Sequence, residues 1–170
     1  MIAKASKARK KAGKAAKSFN AGAVGTERLQ FAALPWRVAE GLEIMLVSSR
    51  ETKRWIIPKG WPMAGRSGAA AAAIEAMEEA GLLGVISDEP IGHFTYAKRF
   101  SRGEELCWVE VFSLRVARQR DHWPEQHERE TRWFPVAEAM TLVSDPELAN
   151  VIAAFARDFD GSGQDPQGAI

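Results

Sequence analysis

One stretch governs what this chain can become, residues 67–81, SGAAAAAIEAMEEAG. Ser67 is a favoured N-cap type, the alanines that follow have the highest helix propensity, and Gly81 suits the left-handed position just past a helix end. A helix over 68–80 follows from that pattern. On both sides of it the sequence turns to short apolar, β-compatible runs. Residues 30–38, 42–48 and 55–57 precede the helix; residues 90–96, 106–116 and 131–134 come after it. Pro35 falls inside the first run and marks it as an edge strand or a broken one. Arg102-Gly103 reads as a turn between two later strands, and 117–130 as a polar loop. Two helices close the chain, over 135–142 and 146–159. In the last, Leu148, Val151, Ile152 and Phe155 recur at helical spacing and mark a core face. The order of strands, helix, strands, helices is α+β, a mixed sheet with helices on its faces, without the regular βαβα alternation of a doubly wound fold.

With 170 residues, 46% of them apolar, the chain can bury one proper core. No apolar run approaches the roughly 20 residues that span a bilayer, and the basic N-terminus lacks the apolar stretch of a secretory signal. The lone cysteine, Cys107, sits in a predicted strand as a small buried hydrophobe. A cytoplasmic location is the default for such a composition. The net charge of +1 hides an asymmetry: residues 1–20 carry seven lysines and arginines and no acid, which leaves the other 150 residues at −6. Residues 1–27 read as a basic arm, 28–159 as the folded domain, and 160–170 as a tail. The arm is either a solubilising extension or a contact for nucleic acid or another anionic surface.

The chemistry concentrates at the end of the first helix. Glu75, Glu78 and Glu79 stand at i, i+3 and i+4, hence on one face. They occupy the last turns, where the helix dipole is already negative and carboxylates are unfavourable by about 0.3–1 kcal/mol each. A helix shaped only for stability would carry lysine or arginine there, and such local conflicts tend to mark function. A divalent cation reverses the sign of the argument, because Mg²⁺ takes a few carboxylates and keeps several waters. Arg37, Arg50, Lys53, Arg54, Lys59 and Arg66 flank the cluster, as phosphate chemistry requires. The competing reading is a solvated acidic face with solubilising cations.

The stretch over 60–82, GWPMAGRSGAAAAAIEAMEEAGL, resembles the Nudix box, G-x5-E-x7-R-E-U-x-E-E-x-G-U, with U apolar. Gly60 matches its first glycine, Glu75, Glu78 and Glu79 its three late glutamates, and Gly81 and Leu82 its end. Ser49-Arg50, the run from Trp55 to Gly60, and Arg132-Trp133-Phe134 are similar to the branch that contains diphosphoinositol polyphosphate phosphohydrolases and diadenosine polyphosphate hydrolases. Two positions depart from the box: Arg66 replaces its first glutamate and Ile74 its arginine. The resemblance implies a mixed sheet sandwiched between helices and a Mg²⁺-dependent (or Mn²⁺-dependent) hydrolase that cleaves a pyrophosphate bond in a small phosphorylated substrate. It implies metal ligation by Glu75, Glu79, Glu78 and the Gly60 carbonyl, and catalysis by Glu78, Glu79 and an acid from the 117–130 loop. Glu125 and Glu128 are candidates for that acid, with Glu128 preferred on spacing. Arg37, Arg50, Lys59 and Arg66 are the expected substrate contacts. The departures at Arg66 and Ile74 leave open a module that binds nucleotide or polyphosphate without turnover. Trp36, Trp61, Phe94 and Tyr96 are candidates for stacking on a nucleobase, against the commoner role of aromatics in the core. His122 and His127 are read as solvated and His93 as structural.

Overall fold

The computed structural model describes residues 28–159. The basic arm over 1–27 and the tail over 160–170 lie outside the described residues. Eight strands and three helices follow in the order β1 (Arg28–Val38), β2 (Leu42–Ser48), β3 (Trp55–Ile56), β4 (Lys59–Gly60), α1 (Gly68–Ala80), β5 (Leu82–Ile86), β6 (Gly92–Phe100), β7 (Gly103–Gln119), β8 (Thr131–Pro135), α2 (Val136–Leu142) and α3 (Pro146–Asp158). The strands form one mixed sheet in the order β3-β2-β1-β7-β5, with β4 also on β1, β6 on β7 and β8 on β2.

At the centre β1 runs parallel to β7, from Arg28 opposite Cys107 to Trp36 opposite Arg115. Its residues alternate between two cores, as a strand buried on both faces must. Ala32, Leu34 and Trp36 join Phe94, Val109, Val111 and Phe134 under α2 and α3, where Leu148, Ile152 and Phe155 supply the expected stripe. Ala33 joins Met45, Val47, Phe112 and Leu114 under α1. The sheet is therefore sandwiched between α1 and the α2–α3 pair. Helix α1 meets it almost wholly through Ala69, Ala72, Ala76 and Ala80. Side chains this small let the helix axis lie close to the strands, and that closeness later decides what touches Glu75.

Pro35 does not put β1 at an edge; the strand is central, and the reason lies in the ladder. The Ala33 N–H donates to the Pro58 carbonyl at 3.0 Å, on the side of β1 that faces β4 and β2. Two residues on, the Pro35 nitrogen faces the same way. There β1 passes from its pairing with β4 at Phe31–Ala32 to its pairing with β2 at Trp36–Val38. The missing donor falls in the gap, so the strand is broken on one side only.

Strand β5 was not anticipated. Five residues containing Gly84 carry little β signal, yet the segment pairs with the far end of β7 through a bulge between Leu83 and Gly84. A Cβ on Gly84 would lie 1.9 Å from the Arg115 carbonyl oxygen, so only glycine fits this approach. The same pairing carries β7 on to Gln119, into what the sequence presents as loop. The β6–β7 hairpin turns at Phe100–Gly103, with Gly103 at φ 125°. Cys107 is fully buried. Among the described residues no helix is long and apolar enough to cross a membrane.

Candidate active site

Helix α1 is capped at both ends as its sequence predicts. Ser67 Oγ accepts the Ala70 N–H at 3.1 Å, and Gly81 takes the left-handed conformation with its N–H turned to the Ala76 and Met77 carbonyls. Capping fixes the rotation of the helix, and with it the face that carries Glu75, Glu78 and Glu79.

Strand β4 brings the facing loop to this helix. Gly60 pairs with Phe31 and Lys59 with Ala32, which presses the bare Cα of Gly60 against Glu75. A Cβ at Gly60 would stand 1.9 Å from Glu75 Oε1 and 2.1 Å from Cδ. The glycine is required by that approach, and it places the Gly60 backbone beside the Glu75 carboxylate.

Glu79 is 4% exposed. Its Oε1 accepts from Arg129 Nη2 at 3.0 Å, while its Oε2 is buried without a hydrogen-bond partner among the described residues. The Arg129 side chain, itself only 8% exposed, also donates from Nε to Glu125 Oε2 at 2.5 Å and from Nη1 to the Ser48 carbonyl at 3.1 Å. One guanidinium thus joins three segments far apart in sequence. The loop that carries it is laced to α1 by further bonds: the Glu125 N–H donates to the Glu78 carbonyl at 3.0 Å and the Arg120 N–H to that of Gly81 at 2.8 Å. Trp123 packs on Gly81, where a Cβ would come within 2.6 Å of the indole. Ser48 and Glu130 exchange backbone and hydroxyl bonds at 2.9 Å.

The electrostatics follow from this packing. Burial pushes the Glu79 carboxyl up to about 8 against the pull of Arg129 and Lys59, with Glu75 and Glu125 adding to the rise. Burial raises Glu75 as well, helped by Glu78 and Glu125. Lys59 is lowered by burial, against the attraction of Glu79, and its Nζ lies 4.8 Å from the Tyr96 ring centroid. The site is a group of acids short of positive charge beside cations set back from water.

Among the described residues no three His, Cys, Asp or Glu side chains gather closely enough to form a ready metal cluster. The residues still fit a hard divalent ion. Mg²⁺ commonly takes one or two carboxylates and completes its shell with water and substrate phosphate. The unpartnered Oε2 of Glu79 is an oxygen donor lacking its partner, and Glu75 lies against Gly60 one helical turn away.

Of the residues singled out in the sequence, the fold brings Glu75, Glu78, Glu79, Gly60 and Lys59 together. Arg50 stands at the rim, 3.4 Å from Glu128 and 3.9 Å from Glu125. Glu128 is 52% exposed and turned to Arg50, whereas the charge of Glu125 is felt by both Glu75 and Glu79. Of the two candidates, Glu125 lies beside the helix glutamates and Glu128, preferred on spacing, lies at the rim. Arg37 lies elsewhere. It is bonded to Glu43 at 2.6 Å and lies over Trp133, six residues beyond Phe31 on β1, roughly 20 Å at about 3.3 Å per residue. Arg66 is exposed ahead of the N-cap, with no side-chain partner among the described residues. Trp36 and Phe94 are core, Tyr96 donates its hydroxyl to Gln30 at 2.6 Å, and Trp61 faces outward. His122 and His127 are exposed. His93 is exposed too and stacks on Trp108 with centroids 4.0 Å apart. Arg129 escaped the sequence reading. Its one signal is an i, i+4 spacing from Glu125, which on a polar loop says nothing about burial.

The family model described as "NUDIX domain" matches residues 28–157. The chain is similar to Nudix hydrolase 13, mitochondrial, of Arabidopsis thaliana, at 31% identity over 122 residues, covering 68% of this chain and 60% of that protein. It is similar to Nudix hydrolase 12, mitochondrial, of the same plant at 32% over 120 residues, covering 68% and 59%. The chain spans about three-fifths of the length of these curated relatives. In structure it resembles a C. elegans Ap4A hydrolase binary complex, with a TM-score of 0.58 at 18% identity over 76% of this chain and 96% of that one. It also resembles the NUDIX domain of Shewanella oneidensis NrtR complexed with ADP ribose, with a TM-score of 0.59 at 16% identity over 79% and 89%. At such identities the structural likeness shows the fold alone. Together with the glycine-backed glutamates of α1, the family match settles the membership: the chain belongs to the Nudix domain family.

Proposed function

We propose that this chain is a Mg²⁺-dependent hydrolase that cleaves a phosphoanhydride bond in a nucleoside diphosphate-linked or polyphosphate substrate. The observation that carries the reading is the meeting of Gly60, Glu75 and Glu79, with one Glu79 oxygen buried and unpartnered. The relatives that bear hydrolase names, and fold neighbours that include an Ap4A hydrolase and a Nudix domain complexed with ADP ribose, support the substrate class.

Glu75, Glu79 and the Gly60 carbonyl would hold the ion, with Glu78 flanking them. When bound, Mg²⁺ supplies positive charge to the phosphate oxygens as their negative charge grows during bond cleavage. The protein's own groups do the rest. Arg129 fixes the rotamer of Glu79 through a charge-assisted bond, which stiffens the site before substrate arrives. The Glu125 carboxylate, held by the same guanidinium, would take the proton of the attacking water. Lys59, which feels the charge of Glu79, and Arg50, at the rim beside Glu125 and Glu128, would meet the remaining phosphate charge. Where the box has arginine the helix carries Ile74, and Arg129 reaches the helix from the loop.

A substrate panel tests the reading. Nucleotide and phosphate release from diadenosine polyphosphates, nucleoside triphosphates, ADP-ribose and an inositol pyrophosphate would be followed in roughly millimolar Mg²⁺, the range of weak oxygen-ligand sites. Glu79→Gln would be run alongside. Turnover that disappears in the variant supports the proposal. Tight ligand binding with no turnover across the panel means a binding module instead.

A further inference from the structure

The turn between β2 and β3, residues 49–54, meets the 120–130 loop through opposite charges at the rim of the site. The Arg50 side chain, 59% exposed, has two acids in reach. Its Nη1 lies 3.4 Å from Glu128 Oε2 and 3.9 Å from Glu125 Oε1. The two acids differ in what else they hold. Glu125 accepts from Arg129 Nε at 2.5 Å, and the same guanidinium bonds Glu79 at 3.0 Å. Three contacts therefore lead from Arg50 to Glu79, through Glu125 and Arg129. The Glu128 carboxylate has Arg50 as its one ion-pair partner among the described residues. The backbone beneath is fixed independently of these side chains. Lys53 Nζ donates to the Glu128 carbonyl at 3.1 Å, the Glu128 N–H to the Glu125 carbonyl at 3.0 Å, and the Arg54 N–H to Ser49 Oγ at 3.0 Å. Lys53 has a φ of 54°, the one positive value outside glycine among the described residues. A lysine holds that conformation only where its surroundings enforce it. Turn and loop are thus locked to each other through main-chain groups, and the two side chains at the rim are left to change partners.

A carboxylate oxygen on a guanidinium takes the place a phosphate oxygen would take, since both accept charge-assisted N–H bonds from the same planar fork. An ion pair this exposed is weak, and a phosphate chain brings more oxygens and more charge to the same cation. We propose that Glu128 occupies Arg50 as a stand-in for phosphate before substrate arrives, and that substrate binds by displacing it. Glu128 then sets KM and takes no part in bond cleavage. This rests on the hydrolase reading above and names the contact that regulates entry to its site. Glu125 is unsuited to the exchange, because Arg129 holds it from the buried side. Glu128 has no such second tie, and at 52% exposure its carboxylate passes from Arg50 to water without a burial penalty.

Kinetics and direct binding test this on four proteins: the native chain, Glu128→Gln, Arg50→Ala and the double variant. In the first measurement, kcat and KM are determined with Mg²⁺ on the panel substrate that the native chain cleaves. In the second, methylenediphosphonate, whose P–C–P bridge has no anhydride to break, is titrated by calorimetry with Mg²⁺. Glu128→Gln is expected to lower KM and the Kd of this probe about two- to fivefold, the factor an exposed ion pair contributes, with kcat near native. Arg50→Ala is expected to raise both constants, and in its background Glu128→Gln should change neither. That last comparison separates displacement from a general relief of negative charge, which acts with or without Arg50. A KM and Kd unmoved by Glu128→Gln, or lowered equally in the Arg50→Ala background, overturns the proposal. A collapse of kcat in Glu128→Gln overturns it as well, because Glu128 would then belong to the chemistry. If probe binding follows the expected pattern but no substrate turns over, the hydrolase reading falls and the displacement stands. If turnover is normal and both constants are unmoved, the displacement alone falls. The bonds that seat the loop use the Glu128 main chain, so circular dichroism of Glu128→Gln should match the native chain. Should it not, Glu128→Asp, which keeps the charge and shortens the reach to Arg50, repeats the test with a smaller expected gain.

Discussion

Adding a single methyl group at Gly60 should separate the chemistry of this fold from its stability. In Gly60→Ala the new Cβ would lie 1.9 Å from Glu75 Oε1, where real contacts stay beyond 3.0 Å, so the carboxylate must retreat by about 1.1 Å. Gly60 does not sit at positive φ, so alanine adopts its backbone without strain. The half-buried Glu75 side chain can swing away. An off-rotamer side chain costs about 0.5–1.5 kcal/mol, and replacing glycine at a compatible position returns about 0.4–1 kcal/mol through the unfolded chain. The net effect on folding is therefore under about 1 kcal/mol. The effect on rate is different in kind, because a misplacement of about 1 Å in a reacting array costs on the order of a hundredfold. Urea unfolding without metal and kcat with Mg²⁺, measured on the same preparation, give both numbers. Full activity in Gly60→Ala would refute the placement of Glu75 in the reaction. A large loss of stability would show that the glycine serves the fold and that the close approach carries no catalytic meaning.

Three further outcomes follow from the same geometry. Arg129→Met removes the donor shared by Glu79, Glu125 and the Ser48 carbonyl and should cost about 1–3 kcal/mol in metal-free urea unfolding, the scale of leaving buried acceptors unsatisfied; Arg129→Lys, which lacks the fork needed to reach three acceptors, should recover little of it. A loss below about 0.5 kcal/mol would place Arg129 among ordinary surface pairs. Glu79, raised from 4.5 to about 8, holds a proton in the folded chain that the unfolded chain has lost throughout that interval. Metal-free stability should therefore fall as pH rises from 4.5 to 8, by up to about 1.4 kcal/mol per unit. Melting in chelator across that range, with Glu79→Gln subtracted, isolates this effect from Lys59, whose lowered value acts in the opposite sense; a flat difference would contradict the burial of Glu79. Glu125→Gln should reduce kcat by on the order of a hundredfold, as loss of a general base does, whereas the exposed Glu128→Gln should alter stability by less than about 1 kcal/mol and leave kcat near native. A loss of rate confined to Glu128→Gln would return the choice to Glu128.

Local patterns carried the parts of this fold that are local. Ser67, the alanine run and Gly81 specify α1 without help from the rest of the chain, and the stripe on α3 is likewise periodic over its own length. The three glutamates could be placed on one face because helical spacing alone decides it. What could not be read depends on distant partners. β5 is a strand because β7 extends far enough to receive it, and Gly84 hides it from any count of β formers. Pro35 misleads because proline forbids only one hydrogen bond, and which neighbour would have made that bond is a matter of topology. Arg37 and Arg129 look alike in sequence, each an arginine near an aromatic and an acid. Only the fold shows one paired at the far end of β1 and the other buried against Glu79. Glu125 and Glu128 differ by three positions, and the buried Arg129 pairs with the first of them alone.

The parallel pairing of β1 with β7 bears on the order in which the molecule assembles. Arg28 meets Cys107 only after nearly eighty intervening residues have been gathered in, and α1 lies within that span. Closing a loop of that size costs entropy before any contact repays it, and chains dominated by such contacts fold in milliseconds to seconds. The three glutamates arrive together, on a helix whose hydrogen bonds are all local. The guanidinium that opposes them comes from a loop fifty residues beyond Glu79. Until that loop docks, the helix end holds unopposed negative charge and remains solvated. The docking of residues 120–130 is thus the step at which the acids leave water.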